Sequence, residues 1–316
     1  MKTVLKIFNI FIACLIIVML ISLYSFFIVK KEYKNITVNI KKGTTINQIY
    51  EELKLSNNIL DKIYFKIDNK FSKLKIGTYR FSGKLSKFEV LRKIRNGDSN
   101  EIRLTIPEGF TKKQVYDRIN ALGLGTTEEI EKVLSEIKFP YPHENNNFEG
   151  YFYPETYIFT ENTTTKQVIE TVLNEFLKNF PEKNYPDKDK FYEQLKLASI
   201  VEAEVPDMID KPKVAGIFIK RLEIGMRLES DATLKYELRR QATRDELKNN
   251  VTPYNSYRVS GLPPTPIGSP PLETMEAVKN AEITGDLFFF THKGKTYYSK
   301  THEEHLKKRR ESGQLK

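Results

Sequence analysis

Cysteine is nearly missing from this 316-residue chain: Cys14 is the only one. Residues 30–316 hold none, which excludes disulfides, thiolate metal sites and a cysteine nucleophile from that stretch. Histidine is also scarce, at four residues. The HEEH of His302–His305 spaces its histidines at i and i+3, whereas the zinc helix H-E-x-x-H needs i and i+4. No metal and no cofactor is expected. There is no P-loop, no glycine-rich dinucleotide turn and no G-x-S-x-G elbow. Long basic runs are lacking too, until Lys307–Arg310 near the C-terminus. The formal charge of +10 therefore reads as lysine spread over a solvated surface rather than a nucleic-acid interface.

Charge is absent from one long stretch. Ile7 to Val29 carries no ionisable side chain apart from the thiol and one tyrosine, between Lys6 and Lys30-Lys31. About 20 apolar residues cross a bilayer. A cleavable signal core is shorter, about 7–15 residues, and ends in small residues. Here the run ends Tyr24-Ser25-Phe26-Phe27 with no A-x-A pattern, so residues 7–29 are expected to be an uncleaved anchor after a cytoplasmic tail of 1–6. Lys2 and Lys6 precede the span and Lys30, Lys31 and Lys34 follow it, so the positive-inside count does not orient it.

Beyond the anchor, hydrophobic content of 40% and charged content of 29% imply a globular body, about two domains at ~150 residues each. A repeat is visible at a constant offset of 66: ITVNIKKGTTINQIYEELK from Ile36 and IRLTIPEGFTKKQVYDRIN from Ile102. Each copy runs alternating strand, glycine turn (Gly43, Gly109), threonine cap (Thr44 or Thr45; Thr111) and amphipathic helix. Lys75–Phe81 alternates as a strand, and Ser86 caps a helix ending at Asn96-Gly97. Residues 140–165 read as loop-rich. Helices are expected near 166–179, 188–204, 212–223 and 272–281, with strands at 287–292 and 295–299 joined at Lys293-Gly294.

LASIVEAE, residues 197–204, ends the second of these helices with two glutamates. At 100° per residue, Glu202 continues the stripe of Phe191, Leu195 and Ala198, while Glu204 falls near Glu193 on the wetter side. Burial raises a carboxyl pKa, and a carboxylic acid that keeps its proton is what a general acid requires. The alternative for Glu202 is an ion pair with a buried base such as Lys220 or Arg221.

Several blocks together resemble the MltG (YceG-like) endolytic murein transglycosylases: LASIVEAE, KPKVAGIFIKRL from Lys211, IGMRLESDATLKY from Ile224, FEGYFYPETY from Phe148, PYNSY from Pro253, GLPPTPIGSP from Gly261 and YYSKTHEEH from Tyr297. The chain departs from that pattern at Ala232, where proline is usual, and at Gly268-Ser269, where alanine-asparagine is usual. The resemblance implies an α+β protein: a transmembrane helix, a small LysM-like α+β subdomain over 30–100 and a helix-rich α+β catalytic domain over 101–316. It implies a single-pass inner-membrane protein with its C-terminal body outside the cytoplasm. It implies non-hydrolytic cleavage of MurNAc–GlcNAc bonds in nascent glycan strands, leaving 1,6-anhydroMurNAc ends. Glycan strands are the expected partner, with peptidoglycan synthases as candidates. The family's catalytic glutamate is expected at Glu202, and Glu204 is expected to be structural. Glu149, Ser230, Asp231, Tyr254, Asn255 and Tyr257 are candidate substrate contacts, each with a structural alternative: Asp231 as a helix cap, the tyrosines as packing against the proline loop. A non-catalytic anchored peptidoglycan-binding scaffold is the competing function.

Overall fold

The protein is described here from a computed structural model covering residues 2–55, 75–97, 101–160 and 163–315, with side chains from residue 6 onward. The chain forms two compact units, residues 1–102 with 158–162, and residues 103–157 with 163–316. The sequence sets the expected boundary between 30–100 and 101–316, and residues 98–100 beside it lie outside the described residues.

The first unit opens with helix α1 (Lys2–Phe27), in which Lys6–Phe27 has a mean hydropathy of 2.8. This is one helix long and apolar enough to cross a membrane. Strand β1 (Lys30–Ile40) pairs antiparallel with β2 (Gly77–Ser86), with a register shift between Tyr33 and Ile36. Helices α2 (Ile46–Glu52) and α3 (Lys87–Asn96) cover the ribbon. Tyr33, Val38, Ile40, Ile49, Leu53, Tyr79, Phe81, Val90 and Ile94 form its core. The alternation in β1 and the i, i+4 spacing of Val90 and Ile94 put these residues on facing sides. Phe26, at the end of α1, packs with Tyr50 and Leu91 in a second cluster.

The two copies of the sequence repeat share local structure. Thr45 caps α2 with Gln48 reaching back, and Thr111 caps α4 (Lys112–Ala121) with Gln114 reaching back. Gly43 and Gly109 take φ of +92° and +71° in the preceding turns. Strands β3 (Glu101–Thr105) and β4 (Thr156–Thr160) form a two-stranded sheet, and the chain passes between the units within these strands.

The second unit continues with α5 (Thr127–Glu136), α6 (Thr165–Asn179), α7 (Lys188–Glu204) and α8 (Lys211–Glu223). Then come α9 (Asp231–Leu238), α10 (Arg244–Asn249) and α11 (Leu272–Lys279), the hairpin β5 (Phe288–His292) to β6 (Lys295–Ser299), and α12 (His302–Glu311). Asp187 caps α7, accepting from the Lys190 N–H at 2.9 Å. Pro206 follows two residues after its end, where its ring favours termination. The irregular segment before β4 is no loose loop. Tyr141, Phe148, Tyr151 and Phe152 are fully buried. The Tyr141 ring lies tilted against that of Phe191, 4.4 Å between centroids, and Tyr151 lies edge-on 5.0 Å from Phe176. Their hydroxyls donate to the carbonyls of Phe180 at 2.7 Å and Pro142 at 2.6 Å. Within this loop-rich stretch the sequence does not single out β4, because its five residues carry too short an alternation to stand out.

Candidate active site

A cleft of about 760 Å³ opens in the second unit. Its walls come from the start of α4, the end of α7, one face of α9, Glu149, Tyr254 and Ile267. The loop 261–271 closes against the Gly109 turn by two backbone hydrogen bonds: the Gly109 N–H donates to Ser269 O at 2.8 Å, and the Ser269 N–H to Phe110 O at 2.9 Å. Ile267, on the same loop, donates its N–H to the Ser199 hydroxyl on α7 at 2.9 Å.

The two glutamates of LASIVEAE part company here. Glu202 lies on the packed side of α7. Its Oε2 accepts from the Lys211 ammonium at 2.6 Å and from the Thr274 hydroxyl, so it is gripped between α8 and α11. The Lys211 side chain is 1% exposed and the Glu202 side chain 8%. The partner base is thus Lys211. Lys220 instead pairs with Glu223, and Arg221 donates to the carbonyls of Leu287 and Leu228. Glu204 lines the cleft. Its Oε1 accepts from the Ser230 hydroxyl. Burial pushes its carboxyl pKa up, the Asp231 charge adds to this, and the hydrogen bonds from Ser230 and Ala232 and the Arg221 charge oppose it.

The geometry thus sets Glu204, expected to be structural, at the cleft wall, and Glu202, expected at the chemistry, in a buried ion pair with Lys211. The apolar stripe of Phe191, Leu195 and Ala198 faces the core, and Glu202 continues it into the core, where a buried cation meets it. The opposite end-face of the helix is the one that neighbouring elements leave open.

Glu149 is 2% exposed at the cleft wall. Its Oε1 accepts from the Lys112 N–H at 2.8 Å and its Oε2 from the Tyr236 hydroxyl at 2.9 Å. Burial dominates over both hydrogen bonds and lifts its pKa to about 7. Ser230 is the N-cap of α9, its N–H donating to the Ser256 hydroxyl at 2.9 Å. Asp231 lines the cleft and accepts from the Tyr257 hydroxyl at 2.7 Å, so the cap is Ser230 and not Asp231. Tyr254 also lines the cleft. Its hydroxyl is 2.8 Å from that of Thr265, and its ring lies 5.3 Å from that of Tyr236.

Asn255 is corrected as a substrate contact. It is fully buried, and its amide donates to the carbonyls of Glu246, Leu247 and Asn250, closing the end of α10. Tyr236, Lys112, Lys235 and Arg239 are lining residues that sequence reasoning passed over. The i, i+4 spacing of Asp231, Lys235 and Arg239 was the available signal.

Comparison with known proteins gives one consistent result. A model of the YceG-like family matches residues 38–311. An endolytic murein transglycosylase of Streptococcus pneumoniae serotype 2 (strain D39 / NCTC 7466) is 28% identical, over 86% of this chain and 57% of that protein. The chain thus spans little more than half the length of the pneumococcal relative. An endolytic murein transglycosylase of Bacillus subtilis (strain 168) is 24% identical, over 88% of this chain and 85% of that protein. The crystal structure of a yceG-like protein from Listeria monocytogenes superposes with a TM-score of 0.57 at 29% identity, covering 86% of this chain and 98% of that one. Since the family match takes in every element that lines the cleft, the chain belongs to the YceG-like family.

Proposed function

We propose that this chain is an endolytic peptidoglycan transglycosylase in which Glu204 is the single proton donor and acceptor. The observation that carries this is the Glu204 carboxyl at the cleft wall, its pKa raised by burial while one oxygen is held by Ser230. A glycosidase ordinarily needs two carboxylates across the scissile bond. A transglycosylase that ends the strand in 1,6-anhydroMurNAc uses the muramic acid's own 6-hydroxyl as nucleophile, so one acid/base suffices. Glu204 gives its proton to the bridging glycosidic oxygen as the bond from C1 of MurNAc breaks. The 6-hydroxyl oxygen then closes on C1, and its proton returns to the Glu204 carboxylate. Atoms and charge balance, no water is consumed, and the acid is regenerated. Ser230 steadies the carboxylate between the two transfers by donating to Oε1, which leaves Oε2 for the sugar. The neighbouring Asp231 charge favours the protonated form at rest.

The same reading places residues 7–29 in the membrane as a single anchor, with the body outside the cytoplasm. It is supported by the apolar helix and by the family resemblance. Residues 30–100 are read as the LysM-like subdomain, consistent with the antiparallel β1–β2 pair and the helix between its strands. Residues 101–316 are read as the catalytic domain, and peptidoglycan synthases as candidate partners.

The test is incubation of the full chain in detergent micelles with uncrosslinked glycan strands, followed by mass spectrometry of the products. Anhydro-ended fragments are expected from the wild type. Glu204→Gln should reduce their rate of formation about 10²–10⁴-fold, the usual worth of positioned proton transfer, with an unchanged melting temperature. Full activity in Glu204→Gln refutes the assignment, and no anhydro product from the wild type leaves the scaffold reading standing.

A further inference from the structure

Among the described residues, the charged side chains of the cleft lining have an ion-pair or hydrogen-bond partner with two exceptions. Lys112 pairs with Glu131 at 3.3 Å and Lys113 with Asp117 at 2.7 Å. Among the carboxylates, Glu149 accepts from Lys112 N–H and Tyr236, Glu204 from Ser230, Asp231 from Tyr257, and Glu237 from Thr252. Lys235 and Arg239 also line the cleft, and among the described residues their side chains make no ion pair and no hydrogen bond. Both are exposed at its mouth.

Their placement is ordered. They stand four residues apart on the face of α9 that begins with Asp231, the group whose charge acts on Glu204. At ~1.5 Å per residue, Lys235 lies ~6 Å and Arg239 ~12 Å along the helix from Asp231. Arg239 ends the helix in the left-handed region, at φ +58°, in place of the usual glycine. Two cations without an ion-pair partner, a helical turn apart and leading away from the acid, match a ligand with carboxylates spaced along a chain. A glycan stripped by an amidase carries a single carboxylate per muramic acid, on the lactyl arm beside the ring, whereas a stem peptide ties that group up as an amide and sets its carboxylates further out: each extended residue advances ~3.3–3.6 Å, so those of its second and later residues come within reach.

We infer that Lys235 and Arg239 form an anionic subsite for the carboxylates of the stem peptide, making the enzyme select peptide-bearing over denuded glycan. This rests on the transglycosylase reading above and adds its substrate class.

The test compares two substrates, uncrosslinked strands carrying stem peptides and the same strands stripped by an amidase. With the wild-type full chain in micelles, KM is expected to be about five- to tenfold lower for the peptide-bearing strands, the scale of two exposed charge contacts. That preference should shrink as salt is raised from ~0.05 to ~0.3 M, because exposed charges are screened. In the double variant Lys235→Gln/Arg239→Gln the ratio of the two KM values should fall to about one, and Lys235→Arg/Arg239→Lys should restore it. Equal KM values in the wild type overturn the inference, as does a double variant that weakens both substrates equally. Binding to the Glu204→Gln protein is measured in parallel by fluorescence anisotropy of end-labelled strands. Peptide-dependent binding that is lost with the two cations upholds the subsite even if no turnover is seen, whereas turnover with no peptide preference sinks the subsite alone.

Discussion

At the scale of the residue, Glu202 and Lys211 are a buried pair joined by Thr274, and the two charges exist there only because each has the other. Removing one member leaves an uncompensated charge inside the protein, at a cost of about 3–5 kcal/mol. Glu202→Gln is therefore expected to lower the melting temperature strongly. At a temperature where it remains folded it should keep most of its turnover, because Glu204 is untouched. Adding Lys211→Met to Glu202→Gln should recover a large part of the lost stability. A thermally intact but inactive Glu202→Gln would return the acid to position 202. Glu149 makes a second residue-scale prediction. Its pKa in the fold is about 7 against an ordinary value of 4.5. Between these values the folded state holds a proton that the unfolded chain has released, so the contribution of Glu149 to stability is greatest below about pH 4.5, falls as pH rises to about 7, and then stays flat. The 2.5-unit difference corresponds to roughly 3 kcal/mol. In Glu149→Gln the carbonyl can still accept from Lys112 N–H, and the amide can donate to Tyr236. The drop in melting temperature between pH 5 and 8 should therefore be visibly smaller in the variant, and an identical pH profile would show that Glu149 does not titrate in this range.

At the scale of the element, the cleft depends on how closely the loop 261–271 approaches the turn at Gly109. A Cβ at Gly268 would stand 2.4 Å from Gly109 O, and that atom belongs to the backbone and cannot swing aside. Gly109 itself has φ +71°, and a Cβ there would meet Glu202 Cγ at 3.5 Å. Gly268→Ala is expected to push the loop off the turn, costing about 1–3 kcal/mol and breaking one or both of the bonds between Gly109, Phe110 and Ser269. Faster hydrogen exchange at the Gly109 and Ser269 amides would register this, and wild-type exchange at both would refute it. The elements themselves were largely legible in the chain. Helix 188–204 begins after an aspartate cap and ends before proline, and the predicted range matches the observed one. The face that matters was not legible. Periodicity tells which side of α7 is apolar, but only the packing of α8, α9 and α11 decides which polar residue at its end is enclosed and which is left at an opening. Asn255 failed for the same reason: an amide suits an N-acetyl group and three backbone carbonyls equally well until the fold brings the carbonyls to it.

At the scale of the whole molecule, the apolar helix and the first unit are not cleanly separable. An anchor alone would need no fixed contact with the body. Yet Phe26 at the end of α1 is 3% exposed, packed with Tyr50 and Leu91, and Phe27 stands 4.9 Å from Phe88 on α3. The end of this apolar helix is thus also part of a core. A soluble form cut at residue 30 would discard both rings, whereas one begun at Ser25 would keep them. Burying a phenylalanine fully is worth about 1.5–3 kcal/mol, so the shorter form should be less stable by an amount of that order. Hydrogen exchange offers the cleanest reading, because it reports on the unit locally. The amides of Leu91 and Ile94 in α3 should exchange faster in the chain begun at Lys30 than in the chain begun at Ser25. Equal protection in the two forms would mean that α1 is tethered to the unit without supporting it, and that the aromatic cluster contributes nothing to its stability.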